Sequence, residues 1–482
     1  MFFRSQHTVF AFLTIAIVFP SACTVGPDYE RPVPDEPLPT AFSEKGCWKV
    51  PAPRDHLPKG KWWSIYRDPV LDGLIAQASD FRDGKGNPSL LAALARVEQA
   101  RAIAGAEKSA IYPNLDGAAG ASRDRTVSNG TARTENTFSF GGSLRYEVDF
   151  WGRVRRLNEA AAARVAASEA DFHNALLFVQ AETARVYFEV RTHDAERALV
   201  VRNIESRRKS LAIVKRRQEL GANDKLDLSL AEAELATAES DLIEIDRLRA
   251  RLRYELAVLC GRNPSTFSIN EDASVVRRVP PAIPVGIHSD LLERRLDIAS
   301  AERTLAASTA SIGAAEAAFF PSIVIFGSAG FESVDIKQVM DWGMRKWSLG
   351  PALTVPIFDG GRNIANFRRA QALRDEALAI YRQRVLDAFR EVESCLGDLS
   401  RLAARVSALN RAVAASNYAA RLVNIRYRQG SVSYMDVTEA ERLAINNERL
   451  TVRVSGQRLT ASVHLIRAIG GGWDAPVETT TR

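Results

Sequence analysis

The 482-residue sequence holds only 4 cysteines and 6 histidines, and none falls in a C-x-x-C, H-E-x-x-H or Cys/His arrangement with metal-ligand spacing. A zinc framework is excluded, and each histidine reads as a helix-surface or loop residue. There is no G-x-S-x-G elbow and no phosphate-binding glycine loop, so those nucleophile and nucleotide chemistries are absent too. Carboxylate pairs such as Glu232 and Glu234 stand inside alanine-rich periodic stretches and read as solvated faces. The chain is therefore expected to be no enzyme, with no catalytic residue, no metal and no cofactor beyond a covalent lipid. No run reaches the roughly 18 consecutive apolar residues that a membrane helix needs, so any insertion into a bilayer must use strands. A basic arm is missing as well: 64 Lys and Arg face 58 Asp and Glu, and the net +6 is spread along the chain. Nucleic acid is not an indicated partner. What remains, 46% apolar and 25% charged, is ordinary globular composition.

Arg4 precedes Val9 to Phe19, apolar apart from Thr14, and then comes Pro20-Ser21-Ala22-Cys23. A charged start, a short apolar core and small residues before a cut have the layout of a secretory signal over residues 1–22. Ser21-Ala22-Cys23 resembles a bacterial lipobox, with Pro20 where Leu usually stands. That resemblance implies that Cys23 becomes the mature N-terminus and carries acyl chains, each buried CH₂ contributing roughly 0.8 kcal/mol to membrane anchoring. Thr24, rather than Asp, follows it, which by the same similarity permits export to the outer membrane. An ordinary signal with cleavage nearby is the alternative. Of the other cysteines, Cys47, Cys260 and Cys395, two have room for one disulfide whose pairing the sequence does not specify.

The chain repeats itself. Asp227 matches Asp436, Ala231 matches Ala440, Glu232 matches Glu441, Glu239 matches Glu448, Arg249 matches Arg458 and Gly261 matches Gly470, every pair separated by 209 residues. Gly152-Arg153 and Gly361-Arg362 keep that offset, and Tyr112-Pro113 against Phe320-Pro321 differs from it by one. Each half is thus one unit used twice: a leading helix, a Pro, two strands, a Gly-Arg corner and a long helical hairpin. The expected division is a signal at 1–22, an N-terminal and equatorial segment at 23–88, and the first repeat at 89–262. A linker at 263–293, the second repeat at 294–471 and a tail at 472–482 complete it.

From Arg153 to Cys260 there is no Pro and a single Gly, Gly221, and 362–469 is almost as clean. Such Ala, Leu, Arg and Glu-rich stretches favour long helices. Residues 153–219 would extend roughly 100 Å at about 1.5 Å per residue, longer than a compact domain accommodates. Leu228, Leu235, Leu242 and Leu256 recur at heptad spacing in the returning arm, interleaved with Ala231, Ala238, Ile245, Leu252 and Leu259. Only Arg249 breaks this seam, and Arg458 breaks its copy at the equivalent place.

In Thr137 to Trp151 the apolar set Phe138, Phe140, Leu144, Tyr146, Val148 and Phe150 alternates with Ser139, Ser143, Arg145, Glu147 and Asp149. The period is that of a strand with one apolar and one wet face, long enough to cross a bilayer at a tilt. Leu115 to Ser122, Ile323 to Phe331 and Trp347 to Phe358 are weaker candidates, with Pro351 and Pro356 marking a strand end or distortion in the last. Four strands cannot enclose a pore, because even about eight leave an interior filled by side chains. Closure without sheet edges then requires several copies.

At this point several motifs converge. Cys23-Thr24-Val25-Gly26-Pro27-Asp28-Tyr29, Lys61-Trp62-Trp63 with Asp68-Pro69-Val70-Leu71, and Ala95-Arg96-Val97-Glu98-Gln99-Ala100-Arg101 are joined by three more. These are Tyr146-Glu147-Val148-Asp149-Phe150-Trp151-Gly152-Arg153, Phe319-Phe320-Pro321-Ser322 and Pro356-Ile357-Phe358-Asp359-Gly360-Gly361-Arg362. Together they resemble the outer membrane factor (TolC-like) family, in its lipoprotein branch of resistance-nodulation-division efflux channels. The resemblance implies a mainly α protein with transmembrane β, a homotrimer whose strands close one twelve-stranded outer-membrane β-barrel above a periplasmic α-barrel. Residues 90–111 and 294–319 fit the short helices of that fold. It implies a passive exit duct, lipid-anchored in the outer membrane, fed by an inner-membrane resistance-nodulation-division pump through a periplasmic adaptor. A type I secretion duct shares the fold, and a periplasmic coiled-coil structural lipoprotein would explain the helices alone.

The family's aperture segment is matched by the second hairpin turn, residues 427–442. By position, Met435 would supply an apolar ring, Glu439 an acidic ring where the family commonly has Asp, and Arg442 its basic partner. These three are four and three residues apart, hence on one helical face. The turn residues Leu220, Gly221, Ala222, Gln429, Gly430 and Ser431 are the adaptor-docking candidates. Six basic residues between Arg207 and Arg217 either meet an acidic adaptor tip or form a solvated face.

Overall fold

The computed structural model describes residues 24–32, 60–81, 86–221, 224–281 and 294–471. Their helices are α1 (Pro69–Ala78), α2 (Pro88–Ser109), α3 (Arg153–Glu219), α4 (Lys225–Leu259), α5 (Leu296–Ala317), α6 (Arg362–Arg428) and α7 (Tyr434–Ala468). The strands are β1 (Asn114–Ser128), β2 (Thr131–Val148), β3 (Ser322–Ser333) and β4 (Arg345–Thr354). The repeat is reproduced to the residue. Helices α3 and α6 each run 67 residues and α4 and α7 each run 35, with starts 209 apart in both pairs. Helices α2 and α5 run 22 residues each, offset by 208.

The punctuation follows from chemistry. Asp149 accepts the Val154 and Arg155 N–H groups at 3.0 and 2.9 Å, and Asp359 accepts those of Gly361 and Asn363, both at 2.9 Å. Each carboxylate satisfies orphan donors where a strand turns into a 67-residue helix. The hairpins turn at Gly221 and Gly430, whose φ of 73° and 75° is left-handed, a conformation that costs a side-chain-bearing residue roughly 1–2 kcal/mol. Ser433 and Asp436 close a reciprocal capping box at the start of α7.

Two compact units divide the chain. One comprises residues 1–35, 96–169 and 300–383 and contains the whole antiparallel sheet, ordered β1-β2-β3-β4. Strands β1 and β2 run past the apolar alternation, through polar sequence, to a turn at Asn129-Gly130 with φ of 50° and 76°. The sequence reading stopped at Leu115–Ser122 and Thr137–Trp151. Its period signal vanishes there, although Asn-Gly is the residue pair that a tight hairpin turn selects. Strand β4 stops at Thr354, short of Pro356, and Pro351 is carried within it because β4 is an edge strand.

The other unit comprises residues 36–95, 170–299 and 384–482. Its core gathers Trp62, Trp63, Tyr66, Leu71 and Ile75 onto Leu177, Ala184, Tyr187 and Phe188 of α3, with Val275 and Leu459. The polar atoms of these rings are satisfied: Tyr187 donates to Asp68 at 2.7 Å, Trp62 to Gln180 at 3.2 Å, and Tyr66 pairs with Ser462 at 2.7 Å. Along α4 the seam holds, with Ala231, Ala238, Ile245 and Leu256 buried. Arg249 does not interrupt it as an exposed charge; its Nε reaches the buried Asp194 at 2.5 Å. Cys260 and Cys395 are both free thiols, so they form no disulfide with each other, and burial pushes their pKa values up to about 12 and about 11.

Candidate functional site

The sheet sorts its side chains by face. Reading the register across the strands, Leu115, Leu144, Gly327 and Leu349 form one row. Gly117, Gly142, Ala329 and Trp347 form the next, and Val148, Ile323 and Leu353 another. Because alternate residues share a face, this side carries Phe138, Phe140, Tyr146 and Phe331 as well. The opposite side carries Asp116, Ser139, Ser143, Arg145, Glu147, Ser328, Glu332, Lys346 and Ser348. Those polar groups pair with each other: Lys346 with Glu332 at 2.9 Å, and Ser328 with Ser348 at 2.8 Å. The apolar side stands open, with Leu115 and Leu349 71% and Trp347 73% exposed. A water-facing sheet would bury this side, so its exposure marks a surface whose solvent is not water.

Below the strands the chain after Cys23 is docked in place. The Val25 N–H donates to the Trp151 carbonyl at 3.1 Å, and Thr24 touches Gly152. The buried Arg156 donates to the Val25 carbonyl at 3.4 Å, the Gly26 carbonyl at 3.2 Å and Asp28 at 2.7 Å. Trp151 stacks on Phe320 at 4.6 Å and donates to the Pro321 carbonyl at 2.8 Å. Residue 24 therefore sits at an aromatic cluster where strands end and helices begin. Cys23 itself, like Cys47 and Ala222, lies outside the described residues.

The hairpin turns hold the other expected residues. Met435 is 68% exposed, and Glu439 and Arg442 are exposed with it on the one face their spacing dictates. The structure does not bring Glu439 and Arg442 together within one protomer. Arg442 leans on Glu234 of α4 at 3.7 Å, and among the described residues Glu439 forms no ion pair. Glu234 is also bonded to Arg207 of α3, so one carboxylate ties together α3, α4 and α7. This corrects the reading of Glu234 as a solvated residue: its side chain is 18% exposed. A second tie sets Arg217 over the Tyr427 ring at 4.9 Å. Tyr434 packs among Val214, Ala231 and Val437, and burial raises its pKa to about 12. Sequence reasoning missed Glu234, Arg217 and Tyr427, because the cross-hairpin register that brings them together leaves no periodic trace.

Of the six basic residues above the first turn, four have local acids. Besides Arg207 with Glu234, these are Arg208 with Glu239 at 2.7 Å, Lys209 with Glu205 at 2.8 Å and Arg216 with Glu219 at 3.2 Å. That favours the solvated-face reading over an acidic partner. Leu220, Gly221, Gln429, Gly430 and Ser431 are exposed at the turns.

The sequence profile of the outer membrane efflux protein family matches residues 85–262 and 287–471, once per repeat. Outer membrane protein OprJ of Pseudomonas aeruginosa is 35% identical over 471 residues, covering 96% of this chain and 95% of its own length. The toluene efflux pump outer membrane protein TtgI of Pseudomonas putida is 30% identical, covering 95% of this chain and 97% of its own. Among solved structures, the outer-membrane channel OprN superposes with a TM-score of 0.84 at 30% identity, over 94% of this chain and 100% of that one.

Proposed function

We infer that this chain, which belongs to the outer membrane efflux protein family, is the exit duct of a tripartite efflux system. Copies assemble in the outer membrane, and substrates pass through them passively, driven by an inner-membrane pump through a periplasmic adaptor. The observation that carries the reading is the open apolar face of a four-stranded sheet with two unpaired edges, β1 and β4. An isolated sheet of this kind exposes both edges and an apolar face. Joining β1 of one copy to β4 of the next removes the edges and gives the face a lipid solvent. Three copies make the twelve-stranded barrel of the resemblance. The lumen then receives the polar side, with Arg145, Glu147 and Ser328.

Cys23 is the proposed lipid anchor. Supporting it, Thr24 is held beside Trp151, at the level where an aromatic girdle meets the membrane surface. At the periplasmic end, Met435, Glu439 and Arg442 are the proposed aperture, with Leu220, Gly221, Ala222, Gln429, Gly430 and Ser431 as the adaptor's landing points. Three Glu439 carboxylates converging on one axis repel unless paired. Opening requires Arg442 to give up Glu234 or its neighbour's acid. A coiled-coil structural lipoprotein would leave the apolar face of the sheet without a role.

Planar-bilayer recording of the detergent-purified full chain tests the reading. Heat-resistant trimers with steady conductance are expected. Leu349→Arg, on the apolar face, should abolish insertion at a cost of roughly 2–4 kcal/mol per copy, whereas Ser348→Arg on the other face should insert and alter ion selectivity. A water-soluble, non-conducting monomer would overturn the assignment. For the aperture, Glu439→Ala with Arg442→Ala should raise single-channel current; an unchanged current removes these residues from the gate.

A further inference from the structure

The sheet sorts its charges by face as strictly as its apolar groups. Its five acids, Asp116, Asp124, Glu135, Glu147 and Glu332, all stand on the polar side, together with Arg133, Arg145 and Lys346. There they find partners: Arg133 pairs with Glu135, Lys346 with Glu332 at 2.9 Å, and Ser122 donates to Asp124 at 2.7 Å. The apolar side carries three charges, and all are arginines: Arg123 and Arg125 on β1 and Arg345 at the start of β4. All three are exposed, and among the described residues none has an ion-pair partner.

Their placement along the strands is as one-sided as their sign. From the helix end, the outward rows run from Val148 with Ile323 and Leu353, through Leu144 with Leu115 and Leu349, to Phe138 with Ala121 and Ser333. From Val148 to Phe138 the strand covers about 34 Å, or roughly 26 Å of height at a tilt of about 40°, which is the height of the apolar band of an outer-membrane barrel. Arg123, opposite Asn136, occupies the next row beyond that band, and Arg125, opposite Thr134, the row after it. The two are about 7 Å apart along one strand face. Arg345 stands one row inside the band, level with Phe140 and Phe331. Its guanidinium lies over the exposed Trp342 ring at 5.1 Å and donates to the Trp342 carbonyl at 2.9 Å. A side chain so placed keeps its stem against apolar surface and sends its charge toward a headgroup.

We propose that Arg123, Arg125 and Arg345 bind the phosphate groups of a lipid in the leaflet remote from the helices, with its acyl chains along Ala121, Phe138 and Phe140. The proposal rests on the reading of the sheet as part of an outer-membrane barrel and adds a specific lipid to it. Charge complementarity selects the ligand. Guanidiniums without acids, at the rim of an apolar band, meet headgroups there, and a phosphate accepts two parallel N–H bonds from each. A zwitterionic headgroup would bring an ammonium beside its phosphate, and this face has no acid to receive it. The fit is therefore to a headgroup with phosphate and no amine, and two arginines about 7 Å apart suit one with more than one phosphate. Asn136 and Thr134, outward beside them, add neutral hydrogen-bonding groups. Joining β1 of one copy to β4 of the next brings Arg345 to the seam that Arg123 and Arg125 line, so each seam of the assembly holds one site.

Native mass spectrometry of the full-length detergent-purified trimer tests it, with diphosphoryl lipid A, the same lipid stripped of both phosphates, and inorganic phosphate as probes. The diphosphorylated lipid should bind up to one copy per seam, and the other two probes at least tenfold more weakly. Arg123→Gln, Arg125→Gln and Arg345→Gln should each weaken lipid binding about fivefold and the triple variant roughly a hundredfold. Arg133→Gln, on the polar side, should leave it unchanged. Conductance of the triple variant in phosphatidylcholine bilayers should equal the parent's, and that measurement reads the duct alone. Undiminished binding by the triple variant, or equal binding of the phosphorylated and phosphate-free lipids, overturns the lipid site and leaves the duct standing. Absence of trimers and conductance in the parent protein would instead sink the duct reading. Should the triple variant fail to assemble, the single variants decide, and full binding by all three overturns the site.

Discussion

Residues 306–317 of α5 include no exposed position, whereas their counterparts in α2, residues 98–109, include no buried one. The two helices have equal length and equal station in the repeat, so their difference lies in what covers them. Helix α5 is covered by its own chain: Gly26 packs against Gly313, Arg31 and Tyr29 reach Glu302 at 2.9 and 3.3 Å, and Arg164 of α3 donates to Ser311 at 3.2 Å. Helix α2 touches α3 through Asn158 to the Glu107 carbonyl at 3.3 Å and Arg101 to Glu169 at 2.8 Å, and offers the rest of its surface outward. The start of α6 leaves Ile364, Leu373 and Ile380 about half exposed and buries Ala370, Ala377 and Tyr381. The first repeat's long helix is covered over more of its start than the second's. In the ring of copies proposed above, α2 of one copy would meet α6 of the next as α5 lies against α3.

The sharpest way to break the comparison is at its most unequal point. Asp194→Ala leaves Arg191 and Arg249 as buried cations without their acid, and unfolding should come easier by roughly 3–5 kcal/mol. Chemical denaturation of the purified protein measures it. Ala403 stands at the same place in the second repeat and manages without a carboxylate, so Ala403→Asn should change stability far less.

A matched glycine pair sharpens the contrast between covered and uncovered helix. Gly105 and Gly313 are repeat counterparts. A Cβ on Gly313 would lie 2.8 Å from the Val25 carbonyl oxygen and 3.0 Å from Arg156 Nε, while one on Gly105 meets nothing within 4 Å. Gly313→Leu should therefore expel residues 24–32 and lower stability by about 1–3 kcal/mol in any assembly state. Gly105→Leu should leave the single chain's fold intact and reduce the yield of heat-resistant trimers. Equal trimer yields for Gly105→Leu and the parent would show that α2 faces water in the assembly.

How much of this was readable beforehand depends on whether a feature is local. The 209-residue offset, the glycine turns and the alternation from Phe138 to Val148 are written in consecutive residues, so helix lengths and strand faces were legible. The polar halves of β1 and β2 were not, because pairing there rests on a hairpin turn and not on an apolar period. The same limit applied at the turns. Met435, Glu439 and Arg442 could be placed on one face by counting, but Arg442 meeting Glu234 depends on how two hairpins register against each other. Arg249 looked like a flaw in its seam for the same reason: its partner Asp194 lies 55 residues away.

The smallest expected effect concerns a histidine that the second repeat lacks. His193 occupies the position held by Leu402, and its Nδ1 is buried without a hydrogen bond, 3.7 Å from Glu196. Burial pulls its pKa below the ordinary 6.5, an effect that Arg453 strengthens and that Glu196, Glu189 and Asp194 oppose. The folded state thus prefers the neutral ring. Above about pH 6.5 both states are neutral and the full stability is present; below it the unfolded chain takes up the proton first, so stability falls as the pH drops toward the depressed folded value. Glu196 also accepts Arg449 and Arg453 at 2.9 and 2.6 Å, which joins α3 to α7, so a protonated His193 would compete for the acid that binds the two hairpins. Melting temperature measured from pH 7.5 to pH 5 should decline, and His193→Leu, which installs the second repeat's residue, should flatten that part of the slope while leaving the carboxylate-driven loss at lower pH. An unchanged slope would mean that His193 binds its proton equally in the folded and unfolded states, and a steeper decline in the variant would mean that Glu196 holds it protonated in the folded protein.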